Sequence, residues 1–163
     1  MKWPVVYSVF IRVKGGARTA MASARPDLIA YHDAMTMSTA GLVTALRELL
    51  GAKLVAYLGK VKETRAVRQW AEGDREIANP AVVERLRLAY RAAWMINQRN
   101  SKEVVQAWFQ GLNPFLDDRA PARLLRDGDV ERDGAQVIAA ARQFAAVGYE
   151  PGHHHRRSLP TGA

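Results

Sequence analysis

At 163 residues, with 48% hydrophobic and 25% charged side chains, the chain can bury a real core and is too apolar for an intrinsically disordered segment. It has no cysteine, which excludes disulfides, thiolate metal sites and cysteine nucleophiles together and fits a reducing compartment. The net charge of +8 is unevenly spread: residues 51–100 hold ten bases and five acids, residues 101–147 six and seven. Two stretches of such different electrostatics suggest two different partners.

Residues 1–37 show no convincing periodicity and read as a poorly ordered extension. "MKWPVVYSVFIRV" followed by "MASA" has the outline of a signal peptide. Arg12 and Lys14, however, stand where cleavage should follow, and the apolar run is short. A start at Met21 explains the segment at least as well. No stretch approaches the ~18 uncharged apolar residues a membrane helix needs, so no membrane partner is expected. The absence of cysteine and the poor signal-peptide outline make the cytoplasm the expected location.

From Leu42 onward helical stripes dominate. Leu42, Val43, Leu46, Leu49 and Leu50 form one amphipathic face, closed by Gly51. A short helix burying Leu54, Val55 and Leu58 follows, with Gly59 ending it as a left-handed cap would. In "KVKETRAVRQWAEG", Ala66, Val67 and Trp70 share one face while Arg65, Arg68 and Gln69 share the other, and Gly73 stops the helix. Asn79-Pro80 is a strong start signal for a helix that buries Val82, Val83, Leu86, Ala89, Tyr90, Ala93 and Ile96 and runs to about Gln98. Ser101 caps the next helix, with Glu103 in its first turn and Val104, Val105, Trp108 and Phe109 inward. A proline-rich corner, "NPFLDDRAPARLLRDGD", leads through a short helix ended by Gly128. The last helix, about Val130 to Val147, packs Val137, Ile138, Ala141 and Phe144; Gly134 should weaken it by ~1 kcal/mol relative to alanine. The closing "YEPGHHHRRSLPTGA" is too rich in Pro, Gly and charge to fold alone. The fold class expected is all-α.

Two short helices about a glycine turn, the second with a Val/Trp inner face and an Arg/Arg/Gln outer face, make a helix-turn-helix pattern. Arg65 and Arg68 have the forked donors that read guanine, and Gln69 the pair that reads adenine. Lys60, Lys62 and Thr64 stand at the helix N-terminus, where phosphate contact would fix register. The same outer face equally suits plain solvation. The turn from Gly59 to Val67 is also about two residues longer than the usual repressor spacing.

In the corner, Pro114 and Pro121 hold the loop at low entropic cost. A loop so braced can present Phe115, Leu116, Leu124 and Leu125 in part to a partner, rimmed by Asp117, Asp118, Arg119 and Arg126. The competing reading has the apolar residues plug the bottom of the bundle. The residue types favour that plug for Leu124 and Leu125, and exposure for Phe115 and Arg119.

The stretch "AWFQGLNPFLDDRAPARLLRDGD" resembles the toxin-binding region of the Xre/MbcA/ParS antitoxins. The likeness is carried by Trp108, Asn113-Pro114, Leu116, Pro121, Leu124-Leu125, Arg126 and Gly128, with an amphipathic helix behind. "LGAKLVAYLGKVKETRAVRQWAEG" is similar to that family's helix-turn-helix, and the resemblance covers roughly residues 42–147. It implies the neutralising half of a type II toxin–antitoxin pair, whose partner is a RES-domain toxin acting on NAD. The antitoxin would cover the toxin's active-site entrance and repress its own operon at operator DNA, commonly as a homodimer. By position, Trp108 would orient its helix and Asn113 and Pro114 would shape the loop. Arg119, Pro121, Leu124, Arg126 and Gly128 would build the toxin-facing corner, with Phe115 and Leu116 in it, and Phe144 and Tyr149 would mark where the chain nears the toxin. The implied organisation is an extension (1–37), a helix-turn-helix DNA-binding region (38–99), a toxin-binding domain (100–147) and a flexible tail (148–163). The chain departs from the family in continuing through "HHHRRSLPTGA".

His153, His154 and His155 lie together in that tail, without the surrounding groups a metal site requires. No phosphate-cradling glycine loop, zinc signature or nucleophile elbow is present, so neither enzyme activity nor a cofactor is expected. The alternative to an antitoxin is a stand-alone helix-turn-helix regulator whose corner is only structural. A third possibility is an orphan antitoxin bound to a different enzyme.

Overall fold

The computed structural model describes residues 25–147, and over that span the chain is all-helical. The first helix, α1 (Pro26–Thr36), lies within the stretch expected to be poorly ordered. Its inward residues explain the discrepancy. Ala30 and Ala34 are fully buried, while Leu28, Tyr31 and Met35 face outward. A helix whose fully buried positions are alanines and whose large apolar side chains are mostly exposed shows no amphipathic stripe, yet it packs along α5.

Helix α2 (Thr39–Leu50) starts where the Ser38 hydroxyl accepts the Gly41 N–H at 3.1 Å, and it buries all five residues of its stripe. Gly51, at φ +81°, turns the chain directly into α3 (Ala52–Leu58). Gly59 is not the left-handed cap expected of it. Its φ is −76°, and the left-handed residue is Lys60, at φ 56°. Glycine is needed at 59 for space instead, since a Cβ there would lie 2.8 Å from the ring of Trp70. Trp70 belongs to α4 (Thr64–Glu72), which the left-handed Gly73 closes. The α3 and α4 helices pack on each other and on α2.

Helix α5 (Pro80–Asn97) begins at Asn79, whose side chain accepts the Ala81 N–H at 2.9 Å. It is the central helix, in contact with α1, α2, α6, α7 and α8. Being surrounded, it buries Leu88, Ala92 and Met95 beyond the expected face, whereas Val82 and Val83 near its start are half-covered. Helix α6 (Lys102–Gln110) is capped by Ser101. A 3-10 turn (Pro114–Leu116) and α7 (Pro121–Asp127) lead to α8 (Val130–Val147), which runs along α5. At their crossing a Cβ on Gly134 would come within 2.6 Å of Leu88 Cδ1. The glycine that costs helix propensity therefore lets the two helices close. One set of buried apolar side chains, from Ala30 to Ala141, runs through all eight α-helices of the described residues.

Candidate functional site

The corner between α6 and α7 is held by backbone and by two side chains. Asn113 is buried; its side-chain oxygen accepts the Phe115 N–H at 3.0 Å, and its carbonyl accepts from Leu116 and Asp118. Its own N–H donates to the Arg119 carbonyl at 3.3 Å, closing the loop on itself. Asp117 and Asp118 are both left-handed, at φ 53° and 55°, a conformation that aspartate tolerates better than most residues. Arg119 Nε donates to the Leu116 carbonyl at 3.1 Å, and its Nη2 lies 3.6 Å from the Asp117 carboxylate.

This frame pushes Phe115 outward, leaving it 65% exposed beside a Leu112 that is 76% exposed. Pro114 and Arg119 are exposed as well. Leu116, by contrast, is buried rather than presented, as are Pro121, Leu124 and Leu125. A 3-10 turn aims successive residues in divergent directions, so Phe115 and Leu116 part company. These buried side chains build the corner from inside and offer no contact area. Trp108 is buried too, edge-on to Phe109 at 5.1 Å and tilted against a half-buried Phe144 at 6.3 Å. That contact joins α6 to the end of α8. Tyr149 and the three tail histidines lie outside the described residues.

Gly128 has a packing role. A Cβ there would overlap the Asp133 carboxylate and stand 2.6 Å from the Leu124 carbonyl oxygen. Arg126 does not join the loop's rim but reaches the other way, its guanidinium 4.3 Å above the ring of Tyr57 on α3.

On the basic half, Lys60, Lys62, Thr64, Arg65 and Arg68 are all exposed, and Gln69 is half-covered. Arg68 Nε is 4.0 Å from Glu72 one turn on, a long and solvated pairing. The structure thus brings Lys62, Thr64 and Arg65 together along one cleft with Lys53 and Tyr57 of α3.

Two structurally important residues do not figure among the sequence-based expectations. Arg85, on α5, is 6% exposed and donates from Nε to the Leu125 carbonyl at 2.8 Å and from Nη1 to the Leu58 carbonyl at 3.1 Å. It thereby satisfies an end-of-helix oxygen on α3 and another on α7. Burial lowers its pKa, against the opposing pull of Asp127. The sequence does carry a signal for it: Arg85 falls three residues after Val82 and four before Ala89, in inward register. The second is Asp133, 2% exposed, whose carboxylate accepts the Asp129 N–H at 2.7 Å and Arg132 Nε at 3.0 Å. Asp129 in turn accepts the Arg132 N–H at 2.8 Å, so the two acids cap α8 reciprocally. The Arg132 hydrogen bond holds the Asp133 carboxyl below its ordinary range.

Among the described residues no group of histidines and acids could hold a metal ion, and no helix is long and apolar enough to cross a membrane. Over the described residues the chain is a helical bundle that carries a bihelical α3–α4 unit and a braced loop between α6 and α7. No protein-family model and no curated protein matches the sequence significantly. A solved chain with this fold occurs in the crystal structure of the M. tuberculosis MbcT-MbcA toxin-antitoxin complex. It is 24% identical with a TM-score of 0.50, over 66% of this chain and 97% of that one. At this identity the likeness establishes a common fold.

Proposed function

We propose that this chain is an antitoxin, a non-enzymatic protein that lays its 112–119 loop and the end of α8 against a RES-domain toxin and covers the entrance to that toxin's NAD-consuming site. One observation carries the reading. Phe115, a large aromatic side chain, is held 65% exposed by a loop whose backbone is braced by the Asn113 side chain and Arg119 Nε. Leaving such a side chain in water is unfavourable, and pre-ordering the loop around it lowers the entropic cost of binding. Aromatic anchors with an arginine beside them are what protein interfaces use. The fold shared with a chain of a toxin–antitoxin complex supports the same reading.

A second role is carried by α4. Its exposed Arg65 and Arg68, beside Lys62, suit operator DNA, and the antitoxin would repress its own operon as a homodimer. Co-expression with a RES-domain protein encoded next to it tests the first role. The pair should copurify and growth arrest should be relieved; failure of both would remove the antitoxin. A stand-alone regulator would instead keep operator binding and show no partner, with Phe115 and Arg119 substitutions affecting stability alone.

A further inference from the structure

We infer that the nucleic-acid footprint proposed for α4 continues across α3 onto α7, so that Lys53, Arg123 and Arg126 take duplex phosphates together with Lys62 and Arg65. This rests on the proposed DNA-binding role of the α3–α4 unit and extends it to a helix outside that unit. Lys53 and Tyr57 are one turn apart on α3 and form a ridge between two clefts. The cleft on the α4 side is walled by Lys62, Thr64 and Arg65. The cleft on the other side is walled by Gln106 and Gln110 of α6 and by Arg123 of α7.

Arg126 bridges the ridge to α7, stacked 4.3 Å above the Tyr57 ring. Lys53, Lys62, Arg65 and Arg123 are exposed, and among the described residues none of them has an ion-pair partner within 4.0 Å. Two acids stand at this surface: Glu63 lines the α4-side cleft, and Asp127 is 3.8 Å from Arg126 Nε. In a bihelical DNA-binding unit the first helix crosses the phosphate backbone while the second enters the groove. Here α3 is that first helix, and Arg85 bonds its last turn and that of α7 to one side chain. A backbone crossing α3 therefore meets α7 next. A row of unpaired bases matches a polyanion better than it matches a protein surface, which would leave several of them desolvated without partners.

The test measures binding of the full chain to a short duplex from upstream of its own reading frame and to a random duplex of equal length, across a salt series. Lys53→Ala and Arg123→Ala should weaken both duplexes alike, each making the log–log salt slope shallower by about 0.9, the share of one neutralised phosphate. Lys102→Ala, off the footprint and paired with Glu48, should leave the slope unchanged. If the native chain binds and Arg65→Ala weakens it, but Lys53→Ala and Arg123→Ala behave like Lys102→Ala, the extension onto α7 is wrong and the α4 role stands. If the native chain binds neither duplex, the α4 role fails and the extension with it. Unchanged DNA binding together with failed capture of the RES-domain protein in the same two variants would overturn the inference in favour of an acidic protein surface.

Discussion

Gly128 lies so close beneath the Asp133 carboxylate that no side chain fits between them, and the Leu124 carbonyl blocks the other exit. Backbone forms one wall of this gap, so the neighbours cannot simply rotate away. Gly128→Ala should destabilise the fold by about 1–3 kcal/mol through overpacking. In a denaturant titration the midpoint should fall with its slope unchanged. The φ of Gly128, −85°, is open to any residue, so the loss would report crowding and not backbone strain.

Asp133 links the same corner to acidity. Its pKa is depressed in the folded state, so its contribution to stability is complete above the unfolded-state value and is lost as pH falls through the folded-state value. Stability of the native chain should therefore decline from just above the ordinary aspartate range downward. Asp133→Asn should be less stable at neutral pH and should show a flatter acid limb, measured as unfolding midpoint against pH. Equal acid limbs in the two proteins would show that the carboxylate contributes nothing there.

Phe115 and Arg119 separate binding from folding. Phe115→Ala should leave the unfolding midpoint in place, because the ring is mostly in water already. It should weaken capture of the proposed toxin partner by about 30-fold, the loss of about 2 kcal/mol typical of an interface anchor. Arg119→Ala should weaken capture too, and also cost about 0.5–1.5 kcal/mol of stability by losing the bond to the Leu116 carbonyl. Titration calorimetry with the purified partner and thermal melts of the free chain give the two readouts.

Arg85→Met tests the buried guanidinium. Methionine fills much of the space but leaves the Leu58 and Leu125 carbonyls without their donor. A loss of about 2–4 kcal/mol is expected. Arg85→Lys should recover part of it, since an ammonium can serve one carbonyl but lacks the fork that spans two.

Much of this architecture is legible in the sequence where large apolar side chains repeat and caps punctuate them. The stripe of α2, the Asn79-Pro80 start of α5 and the Ser101 cap of α6 all stand where expected. Helix α1 is not legible, because only alanines fill its buried positions while its leucine and tyrosine are exposed. By local pattern Gly59 is a backbone device and Gly134 a weakness. Each is in fact a close approach to a side chain distant in sequence, Trp70 in one case and Leu88 in the other, which no local pattern encodes. At the corner, the exposure of Phe115 and Arg119 and the burial of Leu124 and Leu125 follow from residue type. The inward turn of Leu116 depends on the 3-10 geometry, and the departure of Arg126 toward Tyr57 depends on where α3 lies.

One guanidinium grips the last turns of two helices, α3 of the bihelical unit and α7 just behind the braced loop. A linker would let the loop swing while the bihelical unit stayed put; Arg85 gives them a shared rivet instead. An enzyme seated on the loop and a duplex seated on α3 would then hold a fixed bearing to each other. Whether they fit together or collide would be decided by the fold itself, without any moving part.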